Sequence, residues 1–204
     1  MLFRSLSDLE RDALREVANI GAGHAATALS QMTNRRIMIS VPEINIARLE
    51  EVPNILGDPQ AVVAAVLMHM LGDLTGRTLL LFPEPVGRRL CDMLLRRPLG
   101  TTSAFETIEQ SCLKEAGNIL SGAYMNALSD FMGMLLLPSV PSLVVDVSAA
   151  VLTTTYLNFG HDRDFVFCVE TEFSIDAEDD LRGHFLLLPD LASLKAIFDA
   201  IRLT

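Results

Sequence analysis

The sequence predicts an α+β fold made by internal duplication, in which two related halves share one antiparallel β-sheet about a pseudo-two-fold axis and each half carries a long helix on the surface. Three observations lead there. First, Glu16–Pro42, EVANIGAGHAATALSQMTNRRIMISVP, lies over Glu115–Pro141, EAGNILSGAYMNALSDFMGMLLLPSVP, without a gap at an offset of 99 residues (16 to 115). Glu16/Glu115, Asn19/Asn118, Ile20/Ile119, Gly23/Gly122, Ala28/Ala127, Leu29/Leu128, Ser30/Ser129, Val41/Val140 and Pro42/Pro141 are identical pairs. Second, Asp73-Leu74-Thr75-Gly76 with RTLLLFP is echoed by Asp180-Leu181-Arg182-Gly183 with HFLLLP at an offset of 107 (73 to 180). Third, 50% of the 204 residues are hydrophobic, enough to bury a substantial core.

The same order of elements is expected in each half. A long amphipathic helix opens it, with Leu9, Ala13, Val17, Ile20 and Ile108, Cys112, Ala116, Ile119 recurring at helical spacing. A short apolar strand follows, over Ile37–Val41 and Met134–Leu137. A hairpin of two apolar strands joined near an Asp/Gly turn comes next, Val62–His69 with Thr78–Phe82 and Phe165–Ser174 with His184–Leu188. A closing helix ends the unit, over Glu84–Arg96 and Asp190–Ile201. The segment Val147–Asn158 reads as an additional helix or strand, because Thr153-Thr154-Thr155 weakens a helical reading. A lone three-strand sheet would leave an edge inviting its copy to pair. The 204 residues are therefore expected to form one domain with repeat halves near 1–100 and 101–204, a monomer that is its own pseudo-dimer.

Composition narrows the function. With 16 basic and 26 acidic side chains the net charge is −10, which offers no general basic surface to a phosphate backbone, so nucleic acid is not an expected partner. Mean hydropathy is +0.35. A spanning helix needs about 20 predominantly apolar residues, yet Ala61–Met68 ends at His69 and Met134–Leu137 at Pro138. The charged start, MLFRSLSDLERDALRE, lacks a leader's apolar stretch, and no membrane is expected. Cys91, Cys112 and Cys168 form neither a disulfide framework nor a zinc spacing, and His24, His69, His161 and His184 are unmatched between the copies. The expectation is a cytoplasmic chain with reduced thiols and no metal site. Met68, Met70, Met132 and Met134 read as core filling, and Asp176–Asp180 as a solvated loop.

The opening helices hold the informative side chains. Asp12, Glu16 and Asn19 recur as Ser111, Glu115 and Asn118. Spacing of i, i+4, i+7 puts each trio within roughly 60° on one helix side, beside the apolar set, as a single polar row. Asn costs a helix interior roughly half a kcal/mol against Ala, so its presence in both copies asks for a reason. Small residues follow it in each copy, Gly21-Ala22-Gly23 and Ser121-Gly122-Ala123, and allow a backbone or bulky group to approach closely. A phosphate-cradling loop at residues 21–23 is the competing reading, but its flanks are helical and no GxGxxG or GxxxxGK[ST] is present. A solvated polar face, or structural capping of a two-fold helix pair, is the bland one. Duplication weighs against a solvated face, since Gly21/Leu120, His24/Ala123 and Thr27/Asn126 differ around the matched Glu and Asn.

Asp12-x3-Glu16-x2-Asn19-x22-Pro42 and Ser111-x3-Glu115-x2-Asn118-x22-Pro141 resemble the D/S-x3-E-x2-N-x22-P signature of the CheC/CheX/FliY family of chemotaxis phosphatases. The opener departs between the copies, Asp in one and Ser in the other, and the family admits both. Two motifs in about 200 residues resemble the family's two-site CheC branch; CheX resembles a single-site dimer, and FliY carries a further C-terminal switch module. The resemblance implies that the substrate is the phosphorylated response regulator CheY-P, that CheD is a second partner, and that Glu16, Asn19, Glu115 and Asn118 are the catalytic residues. Asp12, Ser111, Pro42 and Pro141 would support them. The regulator's phosphoaspartate would bring its own Mg²⁺ and lysine, so no cofactor is expected on this chain. The carboxamide would orient water, the Glu would pair with a cation of the regulator, and the prolines would set a turn. The alternative is a non-catalytic module docking CheD or a CheY-like regulator, since the flagellar switch protein FliM resembles this fold and works by contact.

Overall fold

The computed structural model describes residues 8–40, 43–48, 58–157, 165–175 and 181–203. The first half contributes α1 (Asp8–Thr33), β1 (Ile37–Ile39), β2 (Glu43–Arg48), β3 (Val62–Gly72), β4 (Gly76–Pro83) and α2 (Glu84–Leu94). The second contributes α3 (Thr107–Met132), β5 (Leu136–Pro138), β6 (Ser142–Val147), α4 (Ser148–Leu157), β7 (Phe165–Ile175), β8 (Leu181–Pro189) and α5 (Leu191–Leu203). Their order is the expected one, with two strands and a helix that periodicity left open. Thr153, Thr154 and Thr155 lie inside α4, where Thr155 Oγ1 donates to the Val151 carbonyl at 2.8 Å and settles a buried hydroxyl within the helix. No element was expected at β2 or β6. The exposure pattern of β6 shows why, because only parts of it are even half-buried and it carries no core signal.

One antiparallel sheet of eight strands runs through both halves in the order β1-β7-β8-β4-β3-β5, with β2 also on β7 and β6 also on β3. The halves exchange strands. The hairpin of the first half is completed by β5 and β6 of the second, and that of the second by β1 and β2 of the first. In the sequence reading each half kept its own short strand beside its own hairpin; the pairing is instead across halves. At the centre, Leu79 of β4 pairs with Leu186 of β8, its own repeat equivalent at the 107-residue offset, so the pseudo-two-fold axis passes through that pair. The inner edges of β4 and β8 thereby satisfy each other's backbone groups.

Both faces of the sheet are covered. Ala64, Val66, Met70, Leu80, Phe82, Phe185 and Leu187 face α1, α2, α3 and α5, while Val63, Ala65, Leu79, Leu81, Leu186 and Leu188 face α4. Burial on both sides explains why β4 and β8 read as continuous apolar runs, LLLF and FLLL, rather than alternating ones. Met68 and Met70 are buried and Met132 and Met134 pack on the same core, as expected. Burial pushes the Cys91 thiol up to about 12, and raises Cys112 as well. Both are free thiols.

Local capping is repeated too. Asn34 and Gly133, equivalent at 99 residues, both take left-handed backbone after α1 and α3, at φ 52° and 64°, a conformation these two residue types accept. The matched Ser30 and Ser129 each tie a helix end to the chain beyond it, Ser30 Oγ accepting from Ile37 N at 3.1 Å and Ser129 Oγ donating to the Met134 carbonyl. Ser40 N donates to the Glu172 carbonyl and Ser40 Oγ accepts from Glu172 N; Ser139 makes the same pair of bonds with His69. Ser40/Ser139 is a repeat identity that the sequence reading left unused.

The helices lie close. A Cβ added at Gly117 of α3 would stand 2.6 Å from Val66 Cγ1 of β3, and one at Gly21 of α1 3.0 Å from Tyr124 Cδ1 of α3. Between the halves, the chain from Leu95 to Glu106 is held by Asp92. Its fully buried carboxylate accepts from Gly100 N, Thr101 N, Thr102 N and Thr102 Oγ1 at 2.7, 3.1, 2.9 and 2.6 Å. Burial pushes this carboxyl up, but the bonds from Thr102, Gly100 and Thr101 outweigh it and hold the group below its ordinary value.

Gly117→Ala is expected to lower unfolding stability by about 1–3 kcal/mol through overpacking, and Val66→Ala in the same chain to recover part of that loss; urea denaturation of the two single variants and the double reads this coupling. Asp92→Asn is expected to cost about 2 kcal/mol at neutral pH. Because the folded carboxyl titrates below the unfolded value of 3.8, its stabilisation is complete above that value and is lost as pH falls through the depressed one. The gap between wild type and Asp92→Asn should therefore be constant from pH 7 to 5 and close below about 4 in pH-dependent denaturation curves.

Candidate functional site

Helices α1 and α3 pack on each other and on the sheet through their small residues. Leu14, Val17, Ala18, Ala22, Ala25 and Leu29 are buried on α1, and Leu113, Ala116, Leu120, Tyr124, Met125 and Leu128 on α3. The buried face thus mixes large apolar side chains with Ala, and with Gly where the approach is closest. Tyr124 fills the space over Gly21, stacking on Phe185 at 4.5 Å between ring centroids. The bulky neighbour that the small stretch after Asn19 admits is therefore a side chain of the other helix. Residues 21–23 are helix interior, so the phosphate-loop alternative is excluded.

The polar row emerges on the opposite side. Asp12, Glu16 and Asn19 are exposed, as are Ser111 and Glu115, while Asn118 is half-buried. Among the described residues none of Glu16, Asn19, Glu115 and Asn118 has a hydrogen-bond or ion-pair partner. The openers of the two rows differ. Asp12 projects into solvent with Arg15 Nη1 at 3.7 Å, a pair too exposed to contribute much. Ser111 Oγ donates back to the Thr107 carbonyl of its own helix at 2.8 Å. Pro141 stands between β5 and β6, consistent with a turn-setting role, and Pro42 lies outside the described residues. The acidic run at 176–180 lies outside them as well.

One expectation needs correction at this site. Ile20 was placed with the apolar stripe, but it is 45% exposed, and Ile108 is 50% exposed. Residue 20 lies about 160° round the helix from Ala18, near the centre of the buried face, so it shares the outer surface with Glu16. Ala18, Ala22 and Ala25 carry a weak hydrophobic signal within the buried stripe, so the larger Ile20 outweighs them in a periodicity count. The result is a surface apolar residue beside the matched Asn, repeated at the half-buried Ile119.

Chemically, each site presents a carboxamide and, one turn back, a carboxylate on a helix, with no hydrogen-bond or ion-pair partner for either among the described residues. A carboxamide oxygen accepts from water or a donor without storing a proton, and a carboxylate attracts a cation. Neither is a nucleophile for which an activating base is in place. No helix among the described residues is long and apolar enough to cross a membrane.

The architecture and the duplicated site define a class: a doubled α+β protein bearing two copies of one polar surface row on its long helices. Comparison with known proteins assigns that class to a family. The CheC-like family model matches residues 9–46 and again 108–145, at the same 99-residue offset (9 to 108) as the repeat. The chain is 32% identical over 207 residues to the CheY-P phosphatase CheC of Bacillus subtilis (strain 168), covering 98% of this chain and 97% of that one. Its fold is similar to that of Thermotoga maritima FliY, with a TM-score of 0.76 at 22% identity over 97% of this chain and 98% of the other. It is similar also to the FliM middle domain of H. pylori, with a TM-score of 0.64 at 14% identity over 96% and 99% of the two chains. The chain belongs to the CheC-like family.

Because the matched asparagines make no side-chain hydrogen bond among the described residues, Asn19→Ala and Asn118→Ala are expected to leave stability unchanged or to raise it by up to about 0.5 kcal/mol through helix propensity. Thermal unfolding followed at the helical circular-dichroism signal checks this, and a loss above about 1 kcal/mol would assign these residues to the structure instead.

Proposed function

We propose that this chain dephosphorylates the response regulator CheY-P at two equivalent sites, one on α1 and one on α3. The observation that carries this reading is the Glu/Asn pair on both helices, unpartnered among the described residues: Glu16 with Asn19, both exposed, and Glu115, exposed, with the half-buried Asn118. A full-length relative named a CheY-P phosphatase supports it.

Hydrolysis of an aspartyl phosphate proceeds by in-line attack of water on phosphorus, and most of the acceleration available to a second protein comes from positioning that water. Asn19 and Asn118 offer a carboxamide oxygen that accepts a hydrogen bond from the water and leaves a lone pair directed at phosphorus. Glu16 and Glu115 pair with a cationic side chain of the regulator and set the register along the helix. Asp12 and Ser111 stand a turn earlier and lengthen the contact; the hydroxyl of Ser111 must turn from its own helix to do so. Mg²⁺ belongs to the regulator, and this chain needs neither a metal nor a covalent intermediate. CheD is a second partner in this reading.

The decay of radiolabelled CheY-P measures the proposal. Wild type should accelerate decay, Asn19→Ala and Asn118→Ala should each remove one site's share, and the double variant should return decay to the unassisted rate while remaining folded. Glu16→Ala and Glu115→Ala should act mainly by raising KM, as expected of docking groups. Regulator binding without any acceleration by wild type would leave the chain a docking module.

A further inference from the structure

The geometry points to a ligand site remote from the polar rows, a basic cleft at the C-terminal ends of α1 and α2 that takes a phosphorylated molecule of nucleotide size. The cleft measures about 860 Å³ and is lined by Asn34, Arg35, Met93, Arg96, Arg97 and Leu99, among others. Among the described residues that line it, none is acidic. In a chain of net charge −10 with 16 basic side chains, three of those cations face this one cleft. An anion entering it meets guanidinium groups whose planar forks suit phosphate oxygens, with Arg97 already paired through Nη1 to Glu109 behind it.

Its walls are preorganised. One side is the chain between the two halves, tied down through Asp92 by the bonds to Gly100, Thr101 and Thr102. Arg97 Nη1 is fixed by Glu109 Oε1 at 2.6 Å, which uses one edge of that guanidinium and holds the rest in place. Hydrogen-bond donors immobilised in advance bind without the ordering cost that flexible surface arginines carry. Met93 and Leu99 add an apolar wall on which a flat ring can lie.

The backbone supplies an independent sign. Asn34 and Arg96 are the non-glycine residues with left-handed backbone among the described residues, at φ 52° and 55°, and both line this cleft. Asn accepts that conformation after a helix, and the equivalent residue in the second half is Gly133. Arg accepts it less readily than Gly would. A cation near a helix C-terminus also complements the helix dipole, which gives Arg96 a structural use. That use gives no reason to prefer Arg to Gly where the backbone is left-handed, whereas binding an anion does.

The full-length chain titrated calorimetrically at low salt with ATP, pyrophosphate, adenosine and citrate tests the site. ATP and pyrophosphate should bind saturably, adenosine should not, and citrate should compete poorly. Arg96→Gly keeps the left-handed backbone and removes the guanidinium, so unliganded Tm should stay level or rise while ATP affinity falls about tenfold or more. Arg35→Ala should weaken binding in the same direction. The proposal is overturned if neither ATP nor pyrophosphate binds, if Arg96→Gly leaves their affinity unchanged, or if citrate competes as well as pyrophosphate.

Discussion

The pairing of β4 with β8 across the pseudo-two-fold axis is the constraint on which the rest of the molecule depends. Leu79 opposite Leu186 puts a residue beside its own repeat equivalent, and that register determines where every other duplicated element stands. Neither half could close its sheet alone. The hairpin β3–β4 would expose the outer edge of β3, which β5 and β6 of the second half cover, and β7 is covered by β1 and β2 of the first. Backbone hydrogen bonding thus forces the two halves to fold as partners, since unpaired strand edges are costly and prone to wrong association.

From that exchange comes the position of α1 and α3. Each long helix leads directly into a short strand that belongs to the opposite half's hairpin, so the helices are drawn together over one face of the sheet. Close approach then depends on small residues, with Gly117 under Val66 and Gly21 under Tyr124. The outer surfaces of both helices carry exposed side chains, Asp12, Glu16 and Asn19 on α1 and Ser111 and Glu115 on α3. The polar rows occupy that free surface on rigid supports, which is what a positioning site requires, because a side chain that orients water must not move with a loop. Asymmetry between the rows comes from their neighbours: Asn19 is exposed and Asn118 half-buried, and Asp12 reaches outward where Ser111 bonds to its own helix.

Much of the order of elements was legible from periodicity and repetition, and the failures have definite physical causes. β6 escaped because a strand with little buried surface carries no alternation to detect. Helical spacing groups Ile20 and Ile108 with the core because large aliphatic residues dominate a periodicity count, while the buried Ala18, Ala22, Ala25 and Ala116 add little hydrophobic weight to it. The Thr153–Thr155 run was ambiguous because β-branched residues disfavour helix locally, and burial of Val151, Leu152 and Thr155 against the far side of the sheet overrides that preference. The Asp92 clamp had no sequence signal at all, since its partners are backbone amides eight to ten residues away.

The sequence by itself determined that the chain is doubled and which residues recur, because identity at a constant offset is independent of folding. It also determined that Glu and Asn share one side of a helix, a consequence of helical geometry alone. Only the tertiary structure decided that the halves exchange strands, that Ile20 joins the polar row on the outer surface, and that Arg35 meets the adjacent Arg96 and Arg97 in one cleft. Those outcomes depend on long-range backbone pairing and on close packing of small side chains, and neither leaves a local pattern along the chain.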